Sequence, residues 1–287
     1  MTRLAVIGGG GMGSQIAQQA ALHGVSVTVQ DVSPEQLGRA VEQNRALLQR
    51  RVEKGRLTQA EADSSLARVR TTTDLEDAVA EVDLVIEAIV ERLEPKREIF
   101  AELDRICPPA TVLASNSSTM PISSIATATK RPERCCNTHF FFPVLVMELC
   151  EVVRGPQTSE RTVELAMEFV REMGRVPVLI NREIDGFIVN RILHHASQEA
   201  YRLLDAGIAS FEDIDIAVEK GLNWPLGPFR LGDLSGLDVT YSARLHIYEK
   251  TGDPKYKPSE QLRQKVEEGK LGRKTGEGWY RYEGGGR

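Results

Sequence analysis

The 287-residue chain lacks the sequence signals of several protein classes. It has four cysteines, with neither a C-x-x-C spacing nor an arrangement typical of zinc ligands, so we predict reduced structural thiols and no metal. No apolar run approaches the roughly 18 residues needed to cross a membrane. The net charge is −5 and no long basic run is present. These absences argue against a membrane protein and against nucleic acid as the main partner.

The composition is that of an ordinary globular protein. Hydrophobic residues make up 41% of the chain, and the length is sufficient for two domains. The chain enters an apolar strand-like run at once and leaves no room for a signal peptide, although a removed targeting segment would leave no trace. A cytoplasmic location is therefore expected.

A glycine-rich turn near the start of the chain is the most informative segment. Residues 2–7 have strand character, and residues 14–22 have helical spacing. Between them, Gly8 permits a tight turn, Gly10 lets the backbone approach a pyrophosphate, and Gly13 lets the helix pack closely. The N–H groups and dipole at the helix start favour phosphate. The pattern predicts a dinucleotide site; the alternative is a glycine-rich turn before an ordinary buried helix. The candidate cofactor-binding residues of this turn are Gly8, Gly10, Gly11, Met12 and Gly13.

An acidic residue follows at the distance that such a site requires. Asp31 ends an alternating segment over residues 25–30 that is typical of a strand, and it lies 23 residues after Gly8. A carboxylate there can accept hydrogen bonds from both ribose hydroxyls and repels a 2′-phosphate. Asp31 therefore favours NAD over NADP, unless it is an ordinary loop acid.

Strand and helix signals alternate as far as about residue 181. Near-continuous apolar runs at 83–89 and 110–115 are typical of parallel strands buried on both faces, and a helical segment at 95–105 links them. Other strand signals lie at 135–142, 146–153 and 176–180, with an amphipathic helix at 159–173. We predict an α/β fold in which residues 1–182 form a Rossmann-like, doubly wound NAD-binding domain.

The remaining residues, 183–287, are predicted to form an all-helical domain. Asp185 is the expected cap of a first helix that runs from Gly186 toward Gly207. A segment of this length with several helices often completes its core against a partner subunit, so we expect a homodimer.

His139 is the candidate general acid/base. An alcohol dehydrogenase without a catalytic metal needs a general acid/base, because a ketone that receives a hydride must also receive a proton at its oxygen. Histidine suits this role because it changes charge near neutrality. The other histidines lie in predicted helices or at helix ends, whereas His139 lies in a strand-and-turn stretch, near the strand ends where ligands bind in such sheets. Glu151, on the next strand, can hold the imidazole in one tautomer. The alternative is a packed structural histidine and a surface acid.

The sequence resembles the 3-hydroxyacyl-CoA dehydrogenases along essentially its whole length. The resemblance implies NAD-dependent, reversible oxidation of a 3-hydroxyacyl-CoA to the 3-ketoacyl-CoA between the two domains, in fatty acid metabolism such as β-oxidation. The segments that carry it are Gly8-Gly9-Gly10-Gly11-Met12-Gly13, Glu87-Ala88-Ile89-Val90-Glu91, Ser115-Asn116-Ser117-Ser118, His139-Phe140-Phe141-x-Pro143-Val144, Asp185-Gly186-Phe187-Ile188-Val189-Asn190-Arg191, Pro225-Leu226-Gly227-Pro228-Phe229, Gly236-Leu237-Asp238 and Lys274-Thr275-Gly276-Glu277-Gly278-Trp279-Tyr280.

The resemblance also implies catalytic roles. His139 would take the hydroxyl proton during oxidation, and Glu151 would orient it and support its charge. Ser118 and Asn190 are similar to the polar groups that contact the substrate oxygen, with Ser118 also approaching the nicotinamide. Taken without the family, Ser118 is a turn or cap hydroxyl and Asn190 a polar residue on a helix.

Four further positions match binding residues of the family. Glu91, Lys96 and Lys274 correspond to cofactor contacts, and Lys54 is similar to a contact with the CoA moiety. A cation at Lys54 suits a phosphate, although its basic helix also fits a solvated surface.

One position departs from the family pattern. Where the family usually has H-F-F-N-P, this chain has Phe142 in place of the asparagine, and phenylalanine has neither its donor nor its acceptor. Because His139 and Glu151 are unchanged, we expect dehydrogenase chemistry with an altered pocket and weak activity on short-chain substrates.

Two other functions stay open from the sequence. One is an NAD-dependent dehydrogenase of a free hydroxy acid or sugar acid on the same scaffold. The other is a non-catalytic NAD-binding protein, because a nucleotide motif does not prove turnover. The lysine-centred site of the 3-hydroxyisobutyrate type has no counterpart where His139 stands.

Overall fold

The computed structural model describes residues 3–283, except the side chains of His246, Ile247, Lys250, Thr251 and Lys255. The chain divides into two compact units after Ile188. The first unit is an α/β domain, and the second is built from helices in its described part.

Eight strands form one sheet in the described part of the chain. Their order is β3-β2-β1-β4-β5-β6-β7-β8, and neighbours are parallel except for β6 and β7. This order, with helices on both faces, confirms the predicted doubly wound fold. The strands are β1 (Arg3–Ile7), β2 (Ser26–Gln30), β3 (Val69–Thr72), β4 (Leu84–Glu87), β5 (Val112–Ser115), β6 (Cys135–Phe140), β7 (Leu149–Val153) and β8 (Val176–Ile180).

Side-chain caps mark the start of several helices, including α2 and α3. The Ser33 hydroxyl accepts the N–H of Gln36 at the start of α2, and Thr58 forms a capping box with Glu61 at the start of α3. The helices are α1 (Gly11–Leu22), α2 (Pro34–Glu53), α3 (Gln59–Ala67), α4 (Leu75–Val79), α5 (Leu93–Ile106), α6 (Ile122–Ala126), α7 (Glu160–Glu172), α8 (Val189–Asp205), α9 (Phe211–Gly221), α10 (Pro228–Ser235), α11 (Leu237–Thr251) and α12 (Glu260–Glu267).

The core of the first unit lies on both faces of the sheet. In β1, Leu4 and Val6 join one buried cluster with residues of α1, while Ala5 and Ile7 join a second with Phe100 of α5. Alternate residues of a strand point to opposite faces, which is why such a strand is apolar throughout. Because β1, β2, β4, β5 and β6 run parallel, their carboxyl ends meet at one edge of the sheet, where Gly8, Asp31 and His139 lie.

The predicted start of the first helix of the second unit was wrong. Helix α8 begins at Val189 and not directly after Asp185, because Gly186 and Phe187 have φ angles of +73° and +49°, which an α-helix does not allow. The division into compact units falls after Ile188, whereas the predicted first domain ends at residue 182. The residues after β8 stay with the first unit, since Glu183 donates its N–H to the Arg154 carbonyl.

The second unit has an aromatic core. Tyr201, Phe229 and Trp279 are buried together with Leu237 and Leu262. Two buried carboxylates organise the surrounding backbone. Asp215 accepts the N–H groups of Phe229 and Arg230, and Asp233 accepts those of Trp279 and Tyr280.

The four cysteines are buried and form no disulfide. Burial raises the pKa of Cys107 and Cys135 to about 12, so both thiols stay protonated near neutral pH. No helix in the described part of the chain is both long and apolar enough to span a membrane.

Candidate active site

The glycine-rich turn connects β1 to α1, and two of its glycines lie where there is no room for a side chain. Gly8 has a φ of +108°, and a Cβ on it would lie 2.6 Å from the Ala88 carbonyl oxygen. A Cβ on Gly13 would lie 1.9 Å from the Gly8 carbonyl oxygen. Around Gly10, by contrast, a Cβ would meet no described atom within 4 Å. The turn is therefore closed on the protein side and open where a ligand could approach.

The start of α1 offers hydrogen-bond donors to that open side. Gly10 is the N-cap residue and has no side chain to cap the helix. Within the described chain, the N–H groups of Gly11, Met12 and Gly13 have no acceptor. Unpaired N–H groups at the positive end of a helix dipole form an anion site. Residues 10–13 thus fit the pyrophosphate of a dinucleotide.

Asp31 lies beside this turn with its carboxylate fixed in place. The N–H of Gly9 donates to Oδ2 at 2.8 Å, and the N–H of Ser33 donates to Oδ1 at 3.0 Å. A carboxylate oxygen can accept more than one hydrogen bond, so both oxygens retain capacity for hydroxyl donors. The position at the end of β2 is the one predicted for a ribose contact.

His139 and Glu151 form a buried pair across β6 and β7. The antiparallel register sets the two residues opposite each other, and the imidazole Nδ1 lies 2.8 Å from Glu151 Oε2. Their side chains are 7% and 0% exposed. Among the described residues, none hydrogen-bonds Nε2 of His139. Because a neutral imidazole whose Nδ1 carries the proton has a free lone pair on Nε2, this arrangement can accept a proton there.

A second group of charged residues lies at the ends of β4 and β5. The buried Lys96 ammonium contacts Glu87 Oε1 at 2.6 Å and Glu91 Oε2 at 3.2 Å. Glu87 also accepts the Ser115 hydroxyl at 2.7 Å. The sequence predicted Lys96 as a cofactor contact, and the structure places its ammonium between two carboxylates of its own chain.

Glu91 holds the loop that follows β5. Its Oε1 accepts the Ser117 hydroxyl at 2.5 Å, the Ser118 N–H at 3.1 Å and the Thr119 hydroxyl at 3.0 Å. Partial burial raises the pKa of Glu91, but the hydrogen bonds from Ser117 and Thr119 and the Lys96 charge outweigh it, so the pKa lies below its ordinary value. Glu91 is therefore ionised at neutral pH and fixes the backbone of Ser118.

Comparison with known proteins gives the family. The profile of the 3-hydroxyacyl-CoA dehydrogenase NAD binding domain matches residues 3–184, and that of the C-terminal domain matches residues 186–282. The chain belongs to the 3-hydroxyacyl-CoA dehydrogenase family. It is an NAD-dependent oxidoreductase with NAD as its cofactor.

Individual relatives agree with this assignment. The chain is 40% identical over 282 residues to the 3-hydroxybutyryl-CoA dehydrogenase of Bradyrhizobium diazoefficiens, covering 98% of this chain and 96% of that protein. It is 41% identical over 283 residues to the human mitochondrial hydroxyacyl-coenzyme A dehydrogenase, covering 96% and 90%. The crystal structure of (S)-3-hydroxybutyryl-CoA dehydrogenase PaaH1 from Ralstonia eutropha superposes with a TM-score of 0.91 at 37% identity, covering 99% of each chain.

The other residues matched to the family occupy separate parts of the chain. Ser118 is half-buried, and no described residue hydrogen-bonds its hydroxyl. Asn190 lies in the first turn of α8. Lys274 is paired with Asp238, at 2.6 and 2.7 Å from its two carboxylate oxygens. Lys54 is exposed directly after α2.

Phe142, at the position that departs from the family pattern, lies against the glycine-rich turn. Its Cε2 atom is 3.7 Å from the point where a Cβ on Gly11 would lie. The side chain is 61% exposed. An aromatic edge without hydrogen-bonding groups therefore borders the N–H groups that fit a pyrophosphate.

Sequence reasoning missed three contributors to this site. Glu87 is fully buried and pairs with Lys96, Ser117 links Glu91 to its loop, and the N–H of Ile188 donates to Glu151 Oε1 at 3.0 Å. For Glu87 a signal existed, because an acid that ends a near-continuous apolar strand needs a partner when it is buried. The Ile188 contact depends on a turn that no periodicity reveals.

Proposed function

We propose that the protein interconverts 3-hydroxyacyl-CoA and 3-ketoacyl-CoA thioesters with NAD, using His139 as the general acid/base. The observation that carries this proposal is the buried pair in which Glu151 binds Nδ1 of the imidazole and leaves Nε2 available. Family membership supports this substrate class. The names of two relatives support it as well, because they refer to 3-hydroxybutyryl-CoA and to hydroxyacyl-coenzyme A.

The residues of the first unit fit the cofactor. The N–H groups at the start of α1 suit the pyrophosphate, the space at Gly10 admits it, and Asp31 suits an unphosphorylated ribose. NAD, when bound, supplies the acceptor for the hydride that leaves C3 of the substrate. The chain itself has to bind the cofactor and to accept or donate the proton of the reacting oxygen.

His139 accepts and donates that proton at Nε2. During oxidation, Nε2 accepts the proton of the substrate hydroxyl, and the imidazole becomes positively charged. Its Nδ1–H donates to Oε2 of Glu151, so the acid that supports the new charge lies within the same buried pair. During reduction, Nε2–H returns the proton to the keto oxygen. General acid/base catalysis of this kind increases the reaction rate on the order of 10²- to 10⁴-fold.

Ser118 and Asn190 are proposed to contact the substrate oxygen, with Ser118 also approaching the nicotinamide. The Ser118 hydroxyl is a suitable donor because Glu91 fixes its backbone while the hydroxyl keeps no partner among the described residues. Asn190 offers both a donor and an acceptor.

Other binding contacts stay predictions. Glu91 and Lys96 are proposed to serve the cofactor, and their mutual ion pair makes them a fixed support for it. Lys274 would reach the cofactor only by sharing or leaving Asp238. Lys54 is proposed to bind a phosphate of CoA, for which its exposure is suitable.

The homodimer and the cytoplasmic location also stay predictions. Several large aliphatic side chains of the second unit are exposed, and a subunit interface is one way in which such side chains become buried. These residues are Ile192, Ile208, Ile216, Leu222, Leu234 and Val239.

A substrate panel tests the function. Turnover would be measured with NADH on acetoacetyl-CoA and on longer 3-ketoacyl-CoA esters, on free 3-keto acids, and with NADPH in place of NADH. We expect turnover of the CoA esters and a preference for NADH. Turnover of free acids without the esters would favour the free hydroxy acid dehydrogenase, and cofactor binding without any turnover would favour a non-catalytic protein.

A further inference from the structure

The last residues of the first unit contact both members of the His139 and Glu151 pair. The Phe187 side chain is 1% exposed, and its ring centroid lies 5.5 Å from that of the His139 imidazole at an angle of 53°. The next residue, Ile188, donates its N–H to Glu151 Oε1 at 3.0 Å. Two consecutive residues thus touch the two partners of one hydrogen bond.

These contacts restrict the orientations of the carboxylate and the imidazole more than their mutual hydrogen bond does. Glu151 binds His139 through Oε2 and Ile188 through Oε1, so its carboxylate plane cannot rotate without losing a hydrogen bond. The imidazole is enclosed by Phe141, at a centroid distance of 4.4 Å, and by Phe187. Aromatic pairs at such distances favour a defined mutual orientation. Together these contacts set the direction in which Nε2 points.

Phe187 itself is held from the sheet. It shares a small buried cluster with Val153 of β7 and Ile180 of β8. The strand that carries Glu151 therefore also carries part of the surface on which the Phe187 ring rests.

The backbone of Phe187 is strained. Its φ of +49° is in the left-handed region, which is unfavourable for a bulky residue and free of cost for glycine. A phenylalanine at a position whose backbone favours glycine indicates that its ring is needed there. Strain of this kind is found where the surrounding structure over-determines a conformation, often next to a functional group.

We propose that Phe187 is a positioning residue that orients the His139 imidazole for proton transfer, while the Ile188 N–H fixes the Glu151 carboxylate. The effect on turnover rests on the proposed function. The effect on the hydrogen bond between His139 and Glu151 can be measured without any substrate.

The first part of the test measures turnover of acetoacetyl-CoA with NADH. Phe187→Gly removes the ring and relieves the backbone strain, whereas Phe187→Leu keeps an apolar side chain in contact. We expect kcat of Phe187→Gly to fall on the order of 10- to 100-fold, as for a misplaced reacting group, and KM for NADH to change by no more than about twofold. Phe187→Leu should recover part of this loss.

The matched control is Phe100→Leu. Phe100 is fully buried in α5, in the cluster on the face of the sheet to which Ala5 and Ile7 point, so the same chemical change occurs away from the pair. It should lower stability and leave kcat unchanged. A loss of kcat in Phe100→Leu equal to that in Phe187→Leu would overturn the proposal, because the effect would then follow stability alone.

The second part uses proton NMR of the enzyme without substrate. An imidazole Nδ1–H bound to a buried carboxylate gives a far-downfield resonance, which is assigned by its disappearance in His139→Gln. We expect the resonance to be sharp in the wild type and in Phe100→Leu, and broadened or lost in Phe187→Gly. An unchanged resonance in Phe187→Gly would contradict the proposal. If the wild type turns over no acyl-CoA ester, the proposed function fails, and this comparison still decides the positioning role.

Discussion

At the scale of single residues, Phe142 has the most direct bearing on cofactor binding. Its ring borders Gly11 at the start of α1, where N–H groups are available for an anion. An amide at this position could donate and accept hydrogen bonds, whereas the ring contributes only apolar contact. The departure from the family pattern should therefore change binding constants and leave the proton-transfer pair intact.

Phe142→Asn tests this expectation. A neutral hydrogen bond contributes about 0.5–1.5 kcal/mol, so KM for NAD should fall by roughly 2- to 10-fold while kcat changes little. Stability should change little because the ring is 61% exposed. The measurement is steady-state kinetics with varied NAD, together with thermal unfolding.

Val146→Asn is the matched control for this substitution. Val146 lies in the same loop and is 69% exposed, so it receives the same amide without a contact to Gly11. Its KM for NAD should equal that of the wild type. Identical cofactor and substrate constants in Phe142→Asn and the wild type would mean that this position is structural.

Single residues also show where sequence reasoning reaches its limit. The spacing of His139 and Glu151 predicted two neighbouring strands, and the antiparallel register sets the pair opposite each other. Lys96, by contrast, was assigned as a cofactor contact only because of the family resemblance. Its burial between Glu87 and Glu91 follows from the packing of α5 against β4, which no local pattern encodes.

At the scale of elements, the loop after β5 depends on a charge supplied by another loop. Glu91 follows β4 and binds Ser117, Ser118 and Thr119 through one carboxylate oxygen. Because these hydrogen bonds and Lys96 favour the ionised form, the pKa of Glu91 in the folded protein is below its ordinary value of 4.5. The stability from this contact is therefore present above about pH 4.5 and is lost as the pH falls through the lower folded-state pKa.

Glu91→Gln should reveal this dependence. After allowance for the exposure of Glu91, the variant should be less stable by about 1 kcal/mol at pH 7. The difference from the wild type should shrink as the pH is lowered from 4.5 through the lower folded-state pKa, because the unfolded wild-type chain takes up a proton at Glu91 before the folded chain does. Urea unfolding at several pH values between 3.5 and 7 measures it.

Glu98→Gln provides the comparison for this charge change. Glu98 is exposed on α5 and has no ion pair with any described residue, so the variant should match the wild type at every pH. A Glu91→Gln variant whose deficit stays constant down to pH 3.5 would show that the ionised carboxylate does not hold the loop.

Strand β3 and the start of helix α8 differ from what the sequence indicated, and for physical reasons. Strand β3 was not predicted because Val69 is its only large apolar residue, and an edge strand needs little apolar surface. The helix expected after Asp185 begins later because Gly186 and Phe187 adopt left-handed conformations. Tertiary contacts of Phe187 and Ile188 stabilise that turn against the local helical pattern.

At the scale of the whole molecule, the sheet order explains most of what could be predicted. Near-continuous apolar strands and the turn from Gly8 to Gly13 specify a parallel, doubly wound sheet, and such a sheet brings its carboxyl ends to one edge. The position of Asp31 follows from the same rule. The division into units after Ile188 involves hydrogen bonds of Glu183 with Arg154 and of Ile188 with Glu151, which no local sequence pattern encodes.

Proton transfer by His139 is tested by turnover of His139→Gln with acetoacetyl-CoA and NADH, alongside NADH binding by titration. We expect kcat to fall on the order of 10²- to 10⁴-fold while the dissociation constant for NADH stays close to that of the wild type. Glutamine keeps a polar side chain at this position but cannot take up a proton. Turnover at the wild-type rate with normal NADH binding would contradict the assignment of proton transfer to His139.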